Sequence, residues 1–254
     1  MSDTLETAPS PGKQFGKYKT RGAYHWRFIS PIPLRHHCPT TARYKAVLAA
    51  LPDWRNLDVV DIGCGDGALT YLIAERGAKV TGVDTCPEAL ELARAEFAKR
   101  GMECGLLSSM DSLPDSSFDV AVCAEVIEHV AEPGSFLESI RRILRPSGRL
   151  VLSTPVRLTE KPLDIEHVRE YFPSEIEALM KKYFHDVIVK TSIPMAGVML
   201  YYWRPWFFRR LPVIRFLMDL SDVFLGINPV ERINALDRYH TLMLAVARKP
   251  AIPP

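Results

Sequence analysis

The sequence has no long uncharged apolar run, no closely paired cysteines and no long block of basic residues. A membrane-spanning helix needs about 20 consecutive apolar residues, so none is predicted here. The five cysteines are scattered without CxxC spacing, which favours reduced thiols in a cytosolic compartment over a disulfide framework or a zinc site. The formal charge is only +2, and this argues against a nucleic-acid partner.

Length and composition indicate one globular domain with a short lead. At 254 residues the chain is long enough for one substantial core, and 47% hydrophobic with 24% charged residues is an ordinary globular composition. Residues 1–12 lack the apolar core of a signal peptide. We expect residues 1–17 to be disordered and residues 18–254 to form a single domain.

Three alternating glycines follow the first long apolar run. Residues 59–67 read Val-Val-Asp-Ile-Gly-Cys-Gly-Asp-Gly, and a helix-like segment comes next. A second apolar run ends on Asp84, about 20 residues past the glycines. Gly63 and Gly65 let the backbone approach a ligand where a Cβ would clash. Asp84 is placed to accept hydrogen bonds from both ribose hydroxyls, so the pattern predicts a pocket for an adenosine-containing cofactor.

The glycine spacing distinguishes between such cofactors. A dinucleotide turn reads G-x-G-x-x-G, whereas this turn reads G-x-G-x-G, with Asp66 between Gly65 and Gly67. An acid would repel a pyrophosphate but would attract a sulfonium or an α-amino group. The turn therefore favours a cationic cofactor over a nicotinamide or flavin dinucleotide.

Strand and helix patterns alternate from Leu57 onward, which predicts a parallel sheet covered by helices on both faces. An N-terminal cap (18–51) and an insertion (192–240) lie outside this pattern. Ligands bind at the carboxyl ends of the strands in such sheets, so we expect both segments to cover that crevice. The predicted strands are 58–62, 79–84, 103–107, 120–123, 149–153, 186–191 and 241–247, and the predicted helices are 41–50, 68–76, 87–99, 133–144 and 173–183.

Two further segments follow the glycine turn and Asp84 along the chain. They read SSMDSLPDSSFDVAVCAEVIEHV over 108–130 and LRPSGRLVLSTP over 144–155. With these motifs, residues 55–191 resemble the class I S-adenosylmethionine-dependent methyltransferases, above all the branch of quinone-biosynthesis and natural-product O-methyltransferases. The resemblance implies a Rossmann-like, seven-stranded, mostly parallel sheet with its last strand antiparallel. It also implies S-adenosylmethionine as the cofactor and O-methylation of a small apolar or lipid-linked acceptor.

The resemblance also assigns residues to the cofactor site. Asp111 resembles the residue that contacts the adenine amino group, with Met110 or Ser112 beside the ring, and an Asx turn is the alternative for Asp111. Arg35 stands where relatives have a basic residue for the cofactor carboxylate. Asp61 either orders the glycine turn or only caps it. The expected set is Arg35, Asp61, Gly63, Cys64, Gly65, Gly67, Asp84, Thr85, Met110, Asp111, Ser112, Ala124 and Glu125.

Two acids and a histidine follow the predicted fourth strand at helical spacing. Glu125, Glu128 and His129 stand at i, i+3 and i+4, which places them on one face of a helix. Two carboxylates and an imidazole can hold Mg²⁺, Mn²⁺ or a similar ion, and His167 is near enough in the predicted fold to join them. The arrangement resembles the metal site of small-RNA 3′-end 2′-O-methyltransferases and of some quinone O-methyltransferases. In metal-free relatives the same residues make structural hydrogen bonds.

A hydroxyl acceptor must lose its proton as the methyl group arrives, and histidine suits that task near neutral pH. The candidate general bases are His129, His167 and His25. Methyl transfer also gains much of its rate from alignment alone, because the sulfonium is already reactive. A dedicated base is therefore not obligatory.

The insertion is rich in aromatic residues and arginines between Tyr201 and Met218. Such a mixture suits a peripheral contact with a membrane surface or an apolar acceptor, and a packed helical lid is the alternative. We consider three functions: a small-molecule O-methyltransferase, a metal-dependent RNA 2′-O-methyltransferase, and a catalytically silent partner subunit. The intact glycine turn and Asp84 argue against the third. The sequence does not determine the oligomeric state.

Overall fold

A seven-stranded sheet organises the chain. The computed structural model describes residues 16–33, 35–162, 164–203, 212–233 and 239–251. The strands lie in the order β3-β2-β1-β4-β5-β7-β6. Strand β7 is antiparallel to both of its neighbours, and the other strands run parallel, which confirms the expected fold. The strands are β1 Asp58–Ile62, β2 Lys79–Val83, β3 Gly105–Leu107, β4 Phe118–Ala124, β5 Leu144–Pro155, β6 His185–Pro194 and β7 His240–Arg248.

Three of the helices begin at the prolines that the sequence pattern indicates, since proline suits the first turn of a helix. Predicted helix ends run one to three residues too far, because Leu144 already starts β5 and residues 181–183 form a turn. The described helices are α1 Lys17–Arg21, α2 Tyr24–Phe28, α3 Cys38–Leu48, α4 Ala68–Ala74, α5 Pro87–Ala98, α6 Pro133–Ile143, α7 Pro173–Met180, α8 Met195–Tyr202, α9 Val213–Leu225 and α10 Pro229–Arg232.

The central strands are buried on both faces, as their continuous apolar runs predict. Alternate residues point to opposite sides, so Val59 packs in the layer beneath α3 and α4, and Val60 packs in the layer beneath α6 and α7. Leu69 and Ile73 fill the first layer, whereas Leu137 is one of the residues that fill the second.

The cap and the insertion pack against one another at one end of the sheet. Helix α3 contacts α9 and α10, and α8 contacts α9 and α10. A small apolar cluster joins them, built from residues such as Cys38, Tyr201, Met218 and Val230. Residues 204–211 of the insertion, and with them Trp206, Phe207, Phe208, Arg209 and Arg210, lie outside the described residues.

Two further expectations concern the N-terminal lead and membrane-spanning helices. Helix α1 begins at Lys17, the last residue of the lead that we expected to be disordered, and residues 1–15 lie outside the description. Across the described ranges, no helix combines the length and the apolar character that a bilayer span requires.

Candidate functional site

A cavity of about 600 Å³ opens at the carboxyl ends of β1, β2, β4 and β5. That edge of an open parallel sheet is where ligands bind in such folds, and the volume lies in the range of small-molecule sites. Helices α1, α2 and α3 supply one part of its wall, and the segment after β5 supplies another. Among the expected residues, the lining includes Asp61, Gly63, Cys64, Gly65, Asp84, Thr85, Met110, Asp111, Ala124, Glu125, His25, Glu128, His129 and His167.

The glycine turn between β1 and α4 leaves no room for side chains. Gly63 has φ +73°, and a Cβ there would lie 2.3 Å from Val126 Cγ2. Gly65 has φ +56°, and a Cβ there would lie 2.2 Å from the Tyr18 hydroxyl. Both positions combine a left-handed backbone with a close neighbour, so glycine is required at each.

Asp84, just past the end of β2, holds this turn in place. Its Oδ2 accepts a hydrogen bond from the Gly65 N–H at 2.8 Å, and its Oδ1 accepts one from the Cys86 N–H at 2.8 Å. Burial raises the pKa of Asp84 above its ordinary value, and the two N–H donors partly offset that effect. Each oxygen retains a second lone pair, so the carboxylate can hold the turn and a ligand diol at once.

Gly67, which we expected to contact the cofactor, and Asp66, which we expected to attract a cationic one, serve the packing of the turn and lie outside the cavity lining. A Cβ on Gly67 would lie 2.5 Å from the Phe97 ring, so this glycine faces α5. The buried Asp66 carboxylate accepts the His25 N–H at 3.0 Å and pairs with His25 Nδ1 at 3.1 Å. Its backbone carbonyl accepts a hydrogen bond from Trp26 Nε1 at 2.5 Å. Helix α2 therefore binds the acid that we expected to attract a cationic ligand.

Asp61 is a buried carboxyl in the cavity wall. The Thr70 hydroxyl donates to its Oδ2 at 2.6 Å. Burial raises the pKa of Asp61 to about 7, the Thr70 hydrogen bond lowers it in part, and the nearby charge of Asp84 raises it further. This carboxyl is thus poised to ionise when a cation enters the cavity.

The segment after β3 presents Ser109, Met110 and Asp111 to the cavity. The Asp111 N–H donates to Ser109 Oγ at 3.1 Å, and this Oγ donates to the Asp111 carboxylate at 2.9 Å. Ser109 rather than Asp111 thus caps the short turn. Ser112 does not line the cavity, because its hydroxyl turns back to the Ser109 carbonyl at 3.3 Å.

The basic residues at the cavity differ from the one that we expected. Arg35 is exposed and lies outside the lining, whereas Lys17 and Arg43 are part of it. Arg43 Nη1 lies 3.3 Å from Glu125 Oε2. The sequence could have indicated Arg43, because positions 40, 43, 44 and 47 of α3 share one helical face. All four residues line the cavity.

The structure brings Glu128, His129 and His167 together, with one potential ligand atom of each within 4.8 Å of the others. Glu128 is fully buried. The Thr154 hydroxyl donates to its Oε2 at 2.9 Å, and its Oε1 has no hydrogen-bond partner among the residues that the structure describes. Burial raises the pKa of Glu128 well above its ordinary value.

Both histidines of this cluster are oriented through Nδ1. His129 Nδ1 lies 3.0 Å from the Glu166 carbonyl oxygen and donates to it. His167 Nδ1 lies 2.8 Å from Glu170 Oε1. Burial lowers the pKa of His129, which favours its neutral form. In neutral rings these contacts fix the tautomer in which Nε2 carries the lone pair.

Glu125 does not belong to this cluster, and the continuous helix that we predicted there is wrong. Strand β4 ends at Ala124, Glu125 has φ +57°, and a short 3₁₀ turn spans Ile127–His129. The left-handed backbone at Glu125 redirects the chain. Glu125 instead accepts a hydrogen bond from Ser153 at 3.4 Å and pairs with Arg43.

The three candidate bases occupy different settings in the cavity wall. His129 and His167 lie close together, with ring centroids 4.9 Å apart. His25 comes from the cap, and its Nδ1 is engaged by Asp66. Sequence reasoning missed the aromatic residues of the lining, which come from the cap and from α6: Tyr18, Tyr24, Tyr44 and Phe136.

Known proteins are similar to this chain in sequence and in fold. Residues 60–152 match the family described as "Methyltransferase domain". The chain is 37% identical over 100 residues to a ubiquinone biosynthesis O-methyltransferase of Idiomarina loihiensis, covering 38% of this chain and 41% of that protein. It is 40% identical over 124 residues to the mitochondrial enzyme of that description from Schizosaccharomyces pombe, covering 45% of each. The chain thus spans about half the length of the curated relatives it matches.

A solved structure supports the fold over most of the chain. Phosphoethanolamine N-methyltransferase 2 of Haemonchus contortus, in complex with S-adenosyl-L-methionine, superposes with a TM-score of 0.63 at 19% identity, covering 96% of this chain and 61% of that one. The sheet order, the glycine turn and Asp84 define an α/β protein with a cavity at the carboxyl edge of its sheet. Within that class, residues 60–152 match the methyltransferase domain family, and the chain is similar in fold to a methyltransferase that binds S-adenosyl-L-methionine.

Proposed function

We propose that this protein transfers the methyl group of S-adenosylmethionine to a hydroxyl oxygen of a small apolar or lipid-linked acceptor. The observation that carries the proposal is one cavity that contains both the glycine turn with Asp84 and a histidine-rich cluster. In the reaction the sulfur–methyl bond breaks as the oxygen–methyl bond forms. The acceptor hydroxyl loses its proton, and the sulfonium becomes a neutral thioether.

The residues divide between cofactor and acceptor. Asp84 accepts from the ribose hydroxyls, and the segment at Met110 and Asp111 surrounds the adenine. Asp61 balances the charge of the cationic end of the cofactor, and Arg43 replaces Arg35 as the residue that meets the carboxylate. Alignment of sulfur, methyl and oxygen supplies much of the rate.

The Glu128–His129–His167 cluster fits a divalent cation. A buried carboxylate oxygen lacks a partner among the described residues, and both imidazoles are held through Nδ1 in the manner of metal-ligating histidines. Two imidazoles and one carboxylate suit Mn²⁺ better than Mg²⁺, which prefers oxygen ligands. The bound ion would lower the pKa of a coordinated acceptor hydroxyl. Without an ion, His129 or His167 would take the hydroxyl proton directly.

A transfer assay tests the reaction. Purified protein with methyl-labelled S-adenosylmethionine is offered phenols, catechols, extracted lipids and RNA, and label should enter the apolar hydroxyl compounds. Label that enters RNA alone supports the 2′-O-methyltransferase instead, and label that enters nothing supports the silent partner subunit.

The variant Asp84→Ala tests the cofactor site. Loss of an ionic acceptor should weaken S-adenosylmethionine binding by about 1.5–3 kcal/mol, measured by calorimetry, and the wild type should not bind NAD. Asp115→Ala is the matched control, because Asp115 is exposed and pairs only with Arg142 among the described residues. Undiminished affinity in Asp84→Ala would remove Asp84 from the site.

Chelation tests the metal. Excess chelator should abolish turnover, and added Mn²⁺ or Mg²⁺ should restore it. Glu128→Gln should keep the melting temperature and lose the response to metal, whereas the surface variant Glu138→Gln should behave as the wild type. Full activity in excess chelator leaves the cluster with a structural and proton-accepting role only.

A further question is where in the cell the protein meets an apolar or lipid-linked acceptor. We infer that the protein works from the cytosol and meets lipid-like acceptors at a membrane surface. The support is the exposed apolar character of the insertion, which is rich in aromatic residues and arginines.

A further inference from the structure

The two histidines of the cluster are held by anchors of different chemistry. His129 Nδ1 lies 3.0 Å from the carbonyl oxygen of Glu166, which is a neutral acceptor. His167 Nδ1 lies 2.8 Å from Glu170 Oε1, which belongs to an acid side chain. A hydrogen bond to a carboxylate is roughly twice as strong as one between neutral groups. The two imidazoles are therefore not equivalent, although both line the same cavity.

Glu170 is built into the protein interior at the end of the segment 164–170. Its side chain is buried. The next residue, Tyr171, forms a β-bridge with Val156, and the Arg157 N–H donates to the Tyr171 carbonyl at 2.9 Å. The backbone that carries Glu170 is thus fixed against the chain that leaves β5, and its carboxylate has a set position.

The same segment is bound to the turn that carries His129 through its backbone. The N–H groups of Val168 and Arg169 both donate to the carbonyl oxygen of Glu128, at 2.8 and 3.1 Å. These contacts bring the ring of His167 to a centroid distance of 4.9 Å from that of His129. Because the backbone places the segment, the Glu170 side chain is left with one task, which is to orient the His167 ring.

The other two acids of this segment have different partners. Glu166 pairs with Lys17 of α1. The Asp164 carboxylate accepts the Glu166 N–H at 2.9 Å and closes the turn before the histidine. Glu170 is the acid of the segment that lies within hydrogen-bond distance of the His167 ring.

This contact decides where the ring carries its hydrogen. A carboxylate accepts hydrogen bonds and has no proton to donate, so the hydrogen of the contact belongs to His167 Nδ1. The lone pair of the neutral ring then lies on Nε2. A carboxylate behind Nδ1–H also strengthens that lone pair as a donor to a metal ion or a proton. A protonated Glu170 would donate to Nδ1 instead, and the hydrogen of the ring would then lie on Nε2.

We propose that Glu170 is a positioning residue that makes Nε2 of His167, rather than that of His129, the principal electron-pair donor of the cluster. The inference rests on the proposed function for methyl transfer, but the tautomer of His167 does not. When the acceptor oxygen takes the methyl group, its proton passes to His167 Nε2. The Nδ1–H bond to Glu170 stabilises the cation so formed.

Nitrogen NMR tests the tautomer apart from catalysis. The metal-free protein is labelled with ¹⁵N-histidine and measured in excess chelator at mildly alkaline pH, where an imidazole is neutral, and His167→Gln assigns the signals. Wild-type His167 should carry hydrogen on Nδ1 and none on Nε2. In Glu170→Gln the amide can accept or donate, so hydrogen should appear on Nε2. A wild-type ring with hydrogen on Nε2, or an unchanged ring in Glu170→Gln, overturns the proposal.

Kinetics test the role in transfer. Glu170→Gln should lower kcat roughly 10–100-fold, with KM for S-adenosylmethionine and the melting temperature unchanged. In a His167→Ala background the same substitution should change kcat by less than about twofold, because no ring is left to orient. In a His129→Ala background it should keep its full effect. Glu138→Gln is the control, because Glu138 is exposed and pairs with Arg141 on α6.

The two measurements separate the possible failures. A loss of kcat that is the same in both histidine backgrounds overturns the positioning role, because Glu170 would then act without His167. Loss of the effect in the His129→Ala background alone overturns the choice of His167. A wild type that transfers no methyl group, yet has the Nδ1–H tautomer that Glu170→Gln loses, refutes the proposed function and supports the contact between Glu170 and His167.

Discussion

At the scale of single residues, Asp66 ties the glycine turn to the N-terminal cap. Its carboxylate holds the backbone N–H and ring of His25, and its carbonyl holds Trp26. The glycine turn in the cavity wall is thus joined to the helix that covers it. Movement of α2 should change the shape of the cavity at this turn.

Asp66→Ala should destabilise the protein by about 1–3 kcal/mol, because the partly buried N–H of His25 loses its acceptor. Amides of α2 should exchange faster with solvent. Urea unfolding and hydrogen exchange measure both effects. Asp53→Ala is the control, because this exposed acid forms its ion pair with its near neighbour Arg55. Unchanged exchange in α2 would show that other contacts hold the cap.

The sequence predicts where a single residue lies when that residue follows the end of a strand. Asp84 and the residues beside it follow from the end of a parallel strand, which always meets the ligand edge of the sheet. The packing of Gly67 and Asp66 was not foreseen, because Phe97 from α5 and His25 from the cap decide which way the turn faces. Contacts from distant segments are not visible in local spacing.

At the scale of elements, α3 and α9 form a unit that depends on charge. Burial lowers the pKa of His36, but its hydrogen bonds to Asp222 and Ser30 outweigh this and raise the pKa above 6.5. Burial raises the pKa of Asp222, but hydrogen bonds from His36, Lys45 and Thr41 bring it down to about 2. The two groups stabilise the docking of α9 over different ranges of pH.

We expect α9 to be held most tightly between about pH 4 and 6.5. The Asp222 contribution is present above pH 3.8 and is lost as pH falls toward 2. The His36 contribution is complete below pH 6.5 and is lost as pH rises through its raised pKa. Hydrogen exchange of α9 amides, corrected for the intrinsic effect of pH, should show more frequent opening above that pKa.

Asp222→Asn should remove most of this pH dependence, since the histidine loses its anionic partner. Removing one partner of a buried ion pair costs about 3–5 kcal/mol, and we expect the low end because Lys45 is partly exposed and can turn to solvent. A wild-type protein whose α9 exchange is independent of pH from 6 to 9 would contradict the role of His36.

Helices and strands were predicted from the sequence wherever the spacing of apolar residues was regular over a whole segment. The strands of the sheet follow from apolar runs, and β1 agrees at both ends. The stretch from Glu125 to His129 has helical spacing, yet the positive φ of Glu125 breaks the helix. The burial of Asp219 and Asp222 on α9 was also not predictable, because several of their partners, His36, Cys38 and Thr41, lie some 180 residues away in the chain.

At the scale of the whole molecule, the cavity joins the cap, the sheet and the segment after β5. Lys17 of α1 pairs with Glu166 beside the histidine cluster. A ligand that fills this cavity contacts segments far apart in the chain, so its binding should stabilise the entire fold.

S-adenosylmethionine at 100 times its dissociation constant should therefore stabilise the protein by about 2.7 kcal/mol. For a chain of this size the melting temperature should rise by roughly 5–10 °C. Differential scanning fluorimetry with S-adenosylmethionine, its demethylated product and NAD measures the effect. NAD should leave the melting temperature unchanged, and an equal rise with NAD would indicate a dinucleotide site.

The position of β7 between β5 and β6 sets an order of events during synthesis. Strand β7 pairs with β5 from Arg149 to Pro155, roughly 90 residues earlier in the chain. At ribosomal rates of about 5–20 residues per second, the edge of β5 waits roughly 5–20 s for its partner. During that interval the buried residues 150–152 lie on an open edge that another chain can pair with. The last strand to emerge is thus the one that protects the nascent protein from aggregation.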